Sequence, residues 1–302
     1  MAKASDVLIL DGAMGTELRA RGVRVPDYKS SIWSALALIE APDEVRRLHA
    51  DYIEAGADII TVNNYAVTRK LLAREGMEDR LSELTLAAAK LACQARDKTA
   101  RADGTKNKAR IAGSLGPLDT TYRVDLVGGF DENLTAYREV AALLAPHVDI
   151  FICETMTTAQ EARAAATAAA ETGKTVWVSW TLAPQGDVLR GGETSAQALN
   201  ALADLPVEAV LFNCSAGDAV DNALPDLIAA TNMKVGVYAN PVHSEPPGGE
   251  PEIVPTAPLD PDDYAQMALA WIRRGASLIG GCCDTSPAHI ARLRSLIAEE
   301  FA

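Results

Sequence analysis

No stretch of the sequence approaches the roughly 20 consecutive apolar residues that a membrane-spanning helix needs. The start of the chain, MAKASDVLIL, has only a short apolar run and lacks the longer apolar region and small-residue cleavage site of a secretory signal. Basic residues are in the minority, 28 against 41 acidic ones, and the formal net charge is −13. Such a charge disfavours proteins that follow nucleic-acid phosphates. We therefore expect a cytoplasmic protein with small-molecule ligands, bound neither to a membrane nor to nucleic acid.

Cysteine is scarce and odd in number, with five residues among 302. In a large chain without secretory features, such cysteines are typical of free, catalytic or metal-binding thiols rather than of a disulfide framework. Cys93 lies in a predicted helix and Cys153 just before the end of a predicted strand, so we assign both to packing. The four histidines lie in or beside predicted helices or in a loop, and we do not expect them to bind a metal.

A glycine-rich nucleotide-binding turn is absent after the first predicted strand, where the chain reads DGAMGTE instead of G-x-G-x-x-G. This absence disfavours an open, doubly wound sheet, the main alternative fold. Short runs rich in branched residues alternate with longer helical patterns, and parallel strands need such crossover helices. We predict one α/β domain over residues 1–302, a TIM-type (β/α)8 barrel with its active site at the carboxyl ends of the strands. The predicted strands are Val7–Leu10, Asp58–Val62, Arg110–Ser114, Asp149–Cys153, Thr175–Thr181, Ala209–Asn213, Lys234–Tyr238 and Ser277–Gly281. The clearest predicted helices are Pro42–Ala55, Arg80–Ala100, Glu132–Ala145, Thr158–Thr172, Pro261–Arg274 and Ser286–Phe301.

Unusual polar residues stand at the carboxyl ends of the predicted strands. Because these ends meet at one face of a parallel barrel, we expect the side chains to lie close together. The residues are Asp11, Asn63, Asn64, Ser114, Glu154, Cys214, Asn240, Cys282 and Cys283.

The vicinal pair Cys282 and Cys283 cannot point into a barrel together from a regular strand, where side chains alternate. We expect Gly280 and Gly281 to supply a bend that turns both thiolates toward one point. Cys214 follows a strand two positions away around the barrel, close enough to join them. Three thiolates with one exchangeable position are typical of a catalytic zinc site. The alternative is that all three are buried apolar cysteines.

Asp11 and Glu154 end apolar strands, VLILD and DIFICE, so both carboxylates are expected to be partly buried. Burial of a carboxylate is costly unless a cation or hydrogen-bond donors are near. A substrate ammonium group would satisfy both, and the alternative is pairing with an arginine or with amides of the next turn. Gly12 and Gly15 leave backbone N–H groups open to a substrate carboxylate.

Seven segments together match one family: LDGAMGTEL, EAGADIITVNNY, GSLGP, CET, FNCS, VYANP and LIGGCCDTSPAHI. They resemble the homocysteine S-methyltransferase family, which includes S-methylmethionine and betaine enzymes and the homocysteine module of cobalamin-dependent methionine synthase. The resemblance runs from about Leu8 to His289. It implies a thiolate of homocysteine, activated by zinc, that attacks a methyl group.

The resemblance also implies roles for individual residues. The implied zinc ligands are Cys214, Cys282 and Cys283. The implied homocysteine contacts are Asp11 and Glu154 at the amino group, with Gly12 and Thr61 near the carboxylate. Asn240 matches an asparagine of the family that can approach the metal when substrate is absent. Here Ala239 replaces the proline of that motif and Pro241 follows, so this loop departs from the family pattern.

The methyl donor is the open question. Sulfonium and quaternary ammonium donors carry positive charge, which aromatic rings can receive, and Trp33 and Tyr65 are candidates. In betaine enzymes a tyrosine follows the site glutamate, whereas this chain has Thr155. We therefore favour a sulfonium donor, S-methylmethionine or S-adenosylmethionine. The alternatives are a betaine-type enzyme and a module that works with separate corrinoid or folate partners.

Two other classes of function remain. A zinc-binding barrel without methyl transfer would bind the metal without any dependence on homocysteine. A lyase that uses Asp11 and Glu154 for acid–base chemistry would keep its activity after Cys214→Ser or chelation.

Overall fold

The structure is a computed structural model that describes residues 6–99, 109–242 and 258–301. Within these ranges eight strands form one parallel sheet in the order β1-β8-β7-β6-β5-β4-β3-β2. A single parallel bridge between Leu10 and Ile59 joins β1 to β2 and nearly closes the sheet into a barrel. The strands are β1 Leu8–Ile9, β2 Ile59–Thr61, β3 Arg110–Leu115, β4 Ile150–Met156, β5 Thr175–Trp180, β6 Val207–Ala216, β7 Lys234–Asn240 and β8 Leu278–Gly281.

Helices follow every strand, so the predicted (β/α)8 barrel is confirmed. The α-helices of the described ranges are α1 Gly15–Ala20, α2 Ala37–Glu40, α3 Pro42–Glu54, α4 Arg69–Ala73, α5 Leu81–Lys98, α6 Phe130–Leu144, α7 Ala159–Ala170, α8 Ser195–Asn200, α9 Gly217–Ala229, α10 Pro261–Arg274 and α11 Pro287–Glu300. Short 3-10 helices cover Trp33–Leu36, Glu78–Arg80 and Val124–Leu126. None of the helices in the described ranges is long and apolar enough to cross a membrane.

Local sequence signals account for the ends of the main helices. In α10, Pro261 occupies the first turn and the Asp260 side chain accepts a hydrogen bond from the backbone N–H of Asp263. Proline suits this position because its missing N–H would be unpaired there. The helix ends at Gly275, whose φ of 123° favours glycine. The chain then enters β8 directly.

Two apolar layers hold the barrel. The larger lies between the strands and the surrounding helices. The smaller fills the inside of the barrel, and each strand or its immediate extension contributes to it. Its members are Leu10, Ile59, Ala112, Ile150, Ile152, Trp177, Ala209, Leu211, Tyr238 and Leu278. This interior is a packed floor, so a ligand can enter only from the loops above it.

Candidate active site and metal centre

A cavity of about 520 Å³ opens at the carboxyl ends of the strands. Its size suits a small-molecule ligand. Nine of the ten residues predicted for the site line it: Asp11, Gly12, Trp33, Thr61, Tyr65, Glu154, Cys214, Cys282 and Cys283. The tenth, Asn240, ends β7 and is buried behind the lining.

The three cysteines meet at the base of this cavity. The sulfurs of Cys214, Cys282 and Cys283 all lie within 4.8 Å of one another. Cys214 and Cys282 are in direct sulfur contact, as in a disulfide, with their Cα atoms 5.5 Å apart. The structure thus brings the predicted trio together, with two of its three sulfurs in contact.

The adjacent cysteines reach one point for a different reason than the sequence suggested. They lie in the turn beyond β8, so the alternation of a strand does not apply to them. Gly280 and Gly281 are regular members of β8 rather than a bend. A Cβ on Gly281 would lie 2.2 Å from Thr285 Oγ1. The glycine is therefore needed for close packing, and the expected bend is wrong.

Hydrogen bonds from neighbouring turns fix this loop. The hydroxyl of Thr285 donates to the carbonyl of Cys282 at 2.6 Å and accepts from the N–H of Ala13 at 3.1 Å. The N–H of Asp284 donates to Thr16 Oγ1 at 2.8 Å. The turn after β1 and the turn after β8 therefore form one rigid unit.

The donor atoms at this position fit a thiophilic metal. Burial raises the pKa of the Cys283 thiol to about 12, and the Asp284 carboxylate acts in the same direction. A nearby cation is therefore needed to hold a thiolate at neutral pH. Asn240 Oδ1 is buried and has no hydrogen-bond partner in the described parts of the chain. Asn240 pairs with Ala216, two residues beyond Cys214, which puts this free oxygen on the strand next to the thiols.

Asp11 is a buried carboxylate that lines the same cavity. It accepts hydrogen bonds from the N–H of Thr61 at 2.7 Å and from its hydroxyl at 3.1 Å. Burial raises its pKa to about 8 despite these donors, and the charge of Glu154 raises it further. The sequence left open that amides of the next turn bind Asp11. A backbone amide does bind it, but this amide belongs to Thr61 in β2, so that alternative is only partly right.

Glu154 is the second buried carboxylate. It accepts hydrogen bonds from the hydroxyls of Ser114 and Tyr238, the latter at 3.3 Å. Burial also raises its pKa above the ordinary value. Within the described residues neither Glu154 nor Asp11 forms an ion pair, so the proposed arginine partnership is wrong. Two buried carboxylates facing one cavity without a cation are suited to an ammonium ligand.

The sequence placed Glu154 and Cys214 just after their strands. In the structure both residues lie within the strands. β4 and β6 continue to Met156 and Ala216, and both ladders shift register just before these ends. Asn213 joins the two irregularities. Its side chain accepts from the N–H of Thr155 at 2.9 Å and donates to the Thr155 hydroxyl at 2.8 Å. The asparagine of the FNCS segment is therefore a supporting residue that sequence reasoning did not assign.

Aromatic rings form a row along the rim. Tyr28 makes edge contacts with Trp33 and Tyr122, at ring-centre distances of 5.9 and 6.3 Å. Guanidinium groups cover the two ends of the row, Arg19 over Trp33 at 4.8 Å and Arg190 over Tyr122 at 4.5 Å. One face of Trp33 is thus already in contact with a cation.

Backbone strain is concentrated at this cavity. In the described chain, every non-glycine residue with positive φ lines it: Trp33, Tyr122, Thr155, Cys214 and Asp284. Such conformations are unfavourable and are retained mostly at functional sites. Together with the thiols and carboxylates, they define a barrel enzyme with a candidate cysteine metal centre and an acidic pocket.

Comparison with known proteins gives the family. The homocysteine S-methyltransferase family matches residues 8–297. The chain belongs to the homocysteine S-methyltransferase family and is a methyltransferase. It is 33% identical over 305 aligned residues to homocysteine S-methyltransferase from Escherichia coli strain K12, covering 96% of this chain and 95% of that one. It is 30% identical to homocysteine S-methyltransferase YbgG from Bacillus subtilis, over 95% of this chain and 93% of the relative.

Solved structures agree. The metallated form of the Escherichia coli homocysteine methyltransferase MmuM superposes with a TM-score of 0.80 at 31% identity, over 96% of both chains. Its oxidised form gives a TM-score of 0.81 at 30% identity, also over 96% of both chains. The structures of this relative thus include a metallated form and an oxidised form.

Proposed function

We propose that this enzyme transfers a methyl group from a sulfonium donor to L-homocysteine, giving methionine, and that zinc is its metal. The observation that carries the proposal is one cavity lined by three cysteine sulfurs and by two buried carboxylates that have no ion-pair partner in the described residues. A thiol substrate with an ammonium group matches both features at once. We also propose a cytoplasmic location, where free thiols persist.

The carboxylates bind the amino end of homocysteine. Asp11 and Glu154 are held by hydrogen bonds that leave their negative charge uncompensated. An ammonium group placed between them lowers both pKa values, which burial has raised. The N–H of Gly12 and the hydroxyl of Thr61, both at the cavity wall, face the substrate carboxylate in this proposal.

The thiol end lies over Cys214, Cys282 and Cys283. Zinc held by these residues would supply the positive charge that keeps a homocysteine thiol deprotonated near neutral pH. The substrate sulfur attacks the methyl carbon in line, a sulfur–carbon bond forms, and the bond between that methyl group and the donor sulfur breaks. The electron pair leaves with the donor sulfur, which becomes a neutral thioether, and the thiol proton goes to solvent. The chain contributes positioning, with both reactants held above a rigid floor.

The choice of donor follows from charge and from position 155. An onium donor is attracted by the acidic cavity. Thr155, rather than a tyrosine, follows Glu154 and is bound to Asn213 in a left-handed conformation. This supports a sulfonium over betaine. A corrinoid- or folate-partnered reaction is the second candidate.

The decisive experiment measures methionine formation from homocysteine with reduced, zinc-loaded protein. S-methylmethionine, S-adenosylmethionine, betaine and methylcobalamin are supplied one at a time. We expect turnover with a sulfonium, loss of turnover on chelation, and recovery on adding zinc. Cys283→Ser should reduce zinc affinity and activity by at least about 100-fold. Cys93→Ser, a half-buried helix cysteine away from the site, is the matched control and should change neither.

The outcomes separate the alternatives. Turnover with betaine or methylcobalamin alone would replace the donor assignment. Zinc binding without methionine from any donor would indicate a barrel that only binds metal. Activity on another substrate that survives chelation and Cys214→Ser would indicate a lyase.

A further inference from the structure

The rim of the cavity carries two opposite charges that the proposed reaction does not use. Arg19 belongs to α1 and Asp27 to the loop that follows it, and both line the cavity. Neither belongs to the cysteine trio or to the carboxylate pair on the floor. They stand on the side of the cavity that lies toward solvent, since both side chains are exposed.

Backbone contacts hold Arg19 in place. One terminal nitrogen donates to the carbonyl of Val25 at 2.9 Å and to that of Pro26 at 3.3 Å. The guanidinium plane lies over Trp33, 4.8 Å from the ring centre. Within the described residues Arg19 makes no ion pair with a carboxylate, although its charge acts on Asp284, which also lines the cavity. Arginine has five N–H donors, and these contacts occupy only part of them. It is therefore an oriented cation with donors left for a ligand.

Asp27 is held beside it by the same loop. The carbonyl that Arg19 binds belongs to Pro26, the residue immediately before Asp27. One oxygen of Asp27 accepts a hydrogen bond from the N–H of Lys29 at 2.9 Å, which fixes the side chain in the turn. Asp27 and Arg19 do not form an ion pair with each other. A cation and an anion held side by side without pairing are complementary to a zwitterion.

We propose that Arg19 and Asp27 bind the α-carboxylate and α-ammonium groups of the methyl donor, which is therefore an amino-acid sulfonium. This inference rests on the proposed function and specifies its donor. The donor enters with its sulfonium toward the thiols and its amino-acid end at the rim. Because Arg19 covers one face of Trp33, that face cannot bind the sulfonium group of the donor. The sulfonium group is therefore placed deeper in the cavity, toward the thiols. Betaine has no N–H-bearing α-ammonium group for Asp27, because its only nitrogen is the fully methylated one that carries the transferred methyl group.

Arg190 is a poorer receptor for the same carboxylate. Its guanidinium lies over Tyr122 and its Nε has no partner in the described residues. Arg190 is not among the residues that line the cavity, however, whereas Tyr122 is. The donor contacts are thus assigned to the α1 side of the rim.

The test uses three donors with zinc-loaded protein: S-methylmethionine, its analogue without the carboxylate, and its analogue without the ammonium group. Arg19→Gln should raise the donor KM about 10- to 100-fold for the two donors that have a carboxylate, the effect of losing a hydrogen bond to a charged group. It should leave the third donor unaffected. Asp27→Asn should show the reverse selectivity, with loss only for donors that have an ammonium group. The KM for homocysteine should stay constant throughout.

Arg24→Gln is the matched control, an exposed arginine of the same loop that pairs with Glu40 and does not line the cavity. It should leave all donor constants unchanged. A general loss with every donor in Arg19→Gln would show a folding defect and overturn the specific role, as would no change with S-methylmethionine. If the unaltered enzyme forms no methionine from any of these donors while still binding homocysteine, the proposed donor itself is wrong, which is a separate result.

Discussion

Asp11 is a buried carboxylate whose two hydrogen-bond donors, both from Thr61, do not neutralise its charge. Burial without a cation is unfavourable for folding but prepares the site for an ammonium group. Burial of this carboxylate therefore lowers the stability of the free protein, and a bound ammonium group would offset that loss. The same reasoning applies to Glu154, whose hydrogen-bond partners in the described residues are neutral hydroxyls.

Replacing Asp11 by Asn should make this cost measurable. The folded pKa of about 8 lies above the ordinary value of 3.8, so the folded state holds the proton more tightly. This stabilisation is complete below pH 3.8 and is lost as pH rises through about 8. Asp11→Asn should therefore melt at a higher temperature than the unaltered protein at pH 8, with a difference that shrinks toward pH 5. Thermal unfolding of substrate-free protein across this range gives the measurement.

The control is Asp187→Asn, a substitution at an exposed position. Its melting temperature should differ from that of the unaltered protein by the same amount at every pH. Homocysteine binding by calorimetry completes the test, because Asp11→Asn should lose it while gaining stability. A difference that grows toward low pH would contradict the argument.

Single residues were the most predictable part of the site. A thiol pair after an apolar strand, and acids that end such strands, are chemically costly and therefore indicate function. What could not be predicted is which groups would contact them. Ser114 in β3 and Tyr238 in β7 form hydrogen bonds with Glu154. No local sequence pattern predicts hydrogen bonds between such distant residues.

At the scale of elements, the turn after β8 is the critical piece, because it carries two of the three thiols. Gly281 brings it within packing distance of Thr285, which in turn holds Cys282 and Ala13. We expect Gly281→Ala to displace this turn and to lower both stability, by about 1–3 kcal/mol, and zinc affinity. Competition with a chromophoric chelator measures the affinity.

Gly129→Ala is the matched glycine control, since a Cβ there meets nothing within 4 Å. It should cost at most about 1 kcal/mol at the N-cap of α6 and leave zinc affinity unchanged. Equal zinc affinities in the two variants would remove the packing argument.

Strand positions were predicted closely, but the last three residues of β4 and β6 were not. Both extensions pass through a left-handed residue, Thr155 or Cys214, and neither residue type favours that conformation. Helix α9 was not among the predicted helices, and Pro225 lies within it, where proline normally ends a helix. Helix α8 had a readable signal in its Thr194 and Gln197 capping box.

For the whole molecule, the β/α order was sufficient to place the site, because parallel strands put all their carboxyl ends at one face. The long loops were not predictable in the same way. The row of rings that joins Trp33 to Tyr122 connects the loops after β1 and β3, and it depends on the closed barrel. The geometry of the site therefore depends on the contacts between β1 and β2 that close the barrel.

Besides the bridge between Leu10 and Ile59 and the hydrogen bonds from Thr61 to Asp11, the contacts of Asp58 join the first and second strands. The N–H of Asp58 donates to the carbonyl of Ile9 at 2.7 Å, and its carboxylate accepts from the N–H of Ile9 at 3.0 Å. Arg294 of α11 binds the same carboxylate and also donates to the carbonyl of Gly56. The Asp58 side chain thus supplies a hydrogen bond between the first and second strands that the backbone ladder lacks. Through Arg294 it also connects these strands to the last helix.

Removal of this tie should weaken the entire barrel at once. We expect Arg294→Ala to lower the free energy of unfolding by about 2–3 kcal/mol, since charge-assisted hydrogen bonds to a partly buried group are lost. Arg273→Ala breaks an exposed pair with Glu300 and should cost at most about 1 kcal/mol. Urea unfolding followed by both circular dichroism and tryptophan fluorescence measures the two. A single shifted transition seen by both probes supports closure as a global constraint, whereas equal small effects in the two variants would show that the barrel closes without the contacts of Arg294.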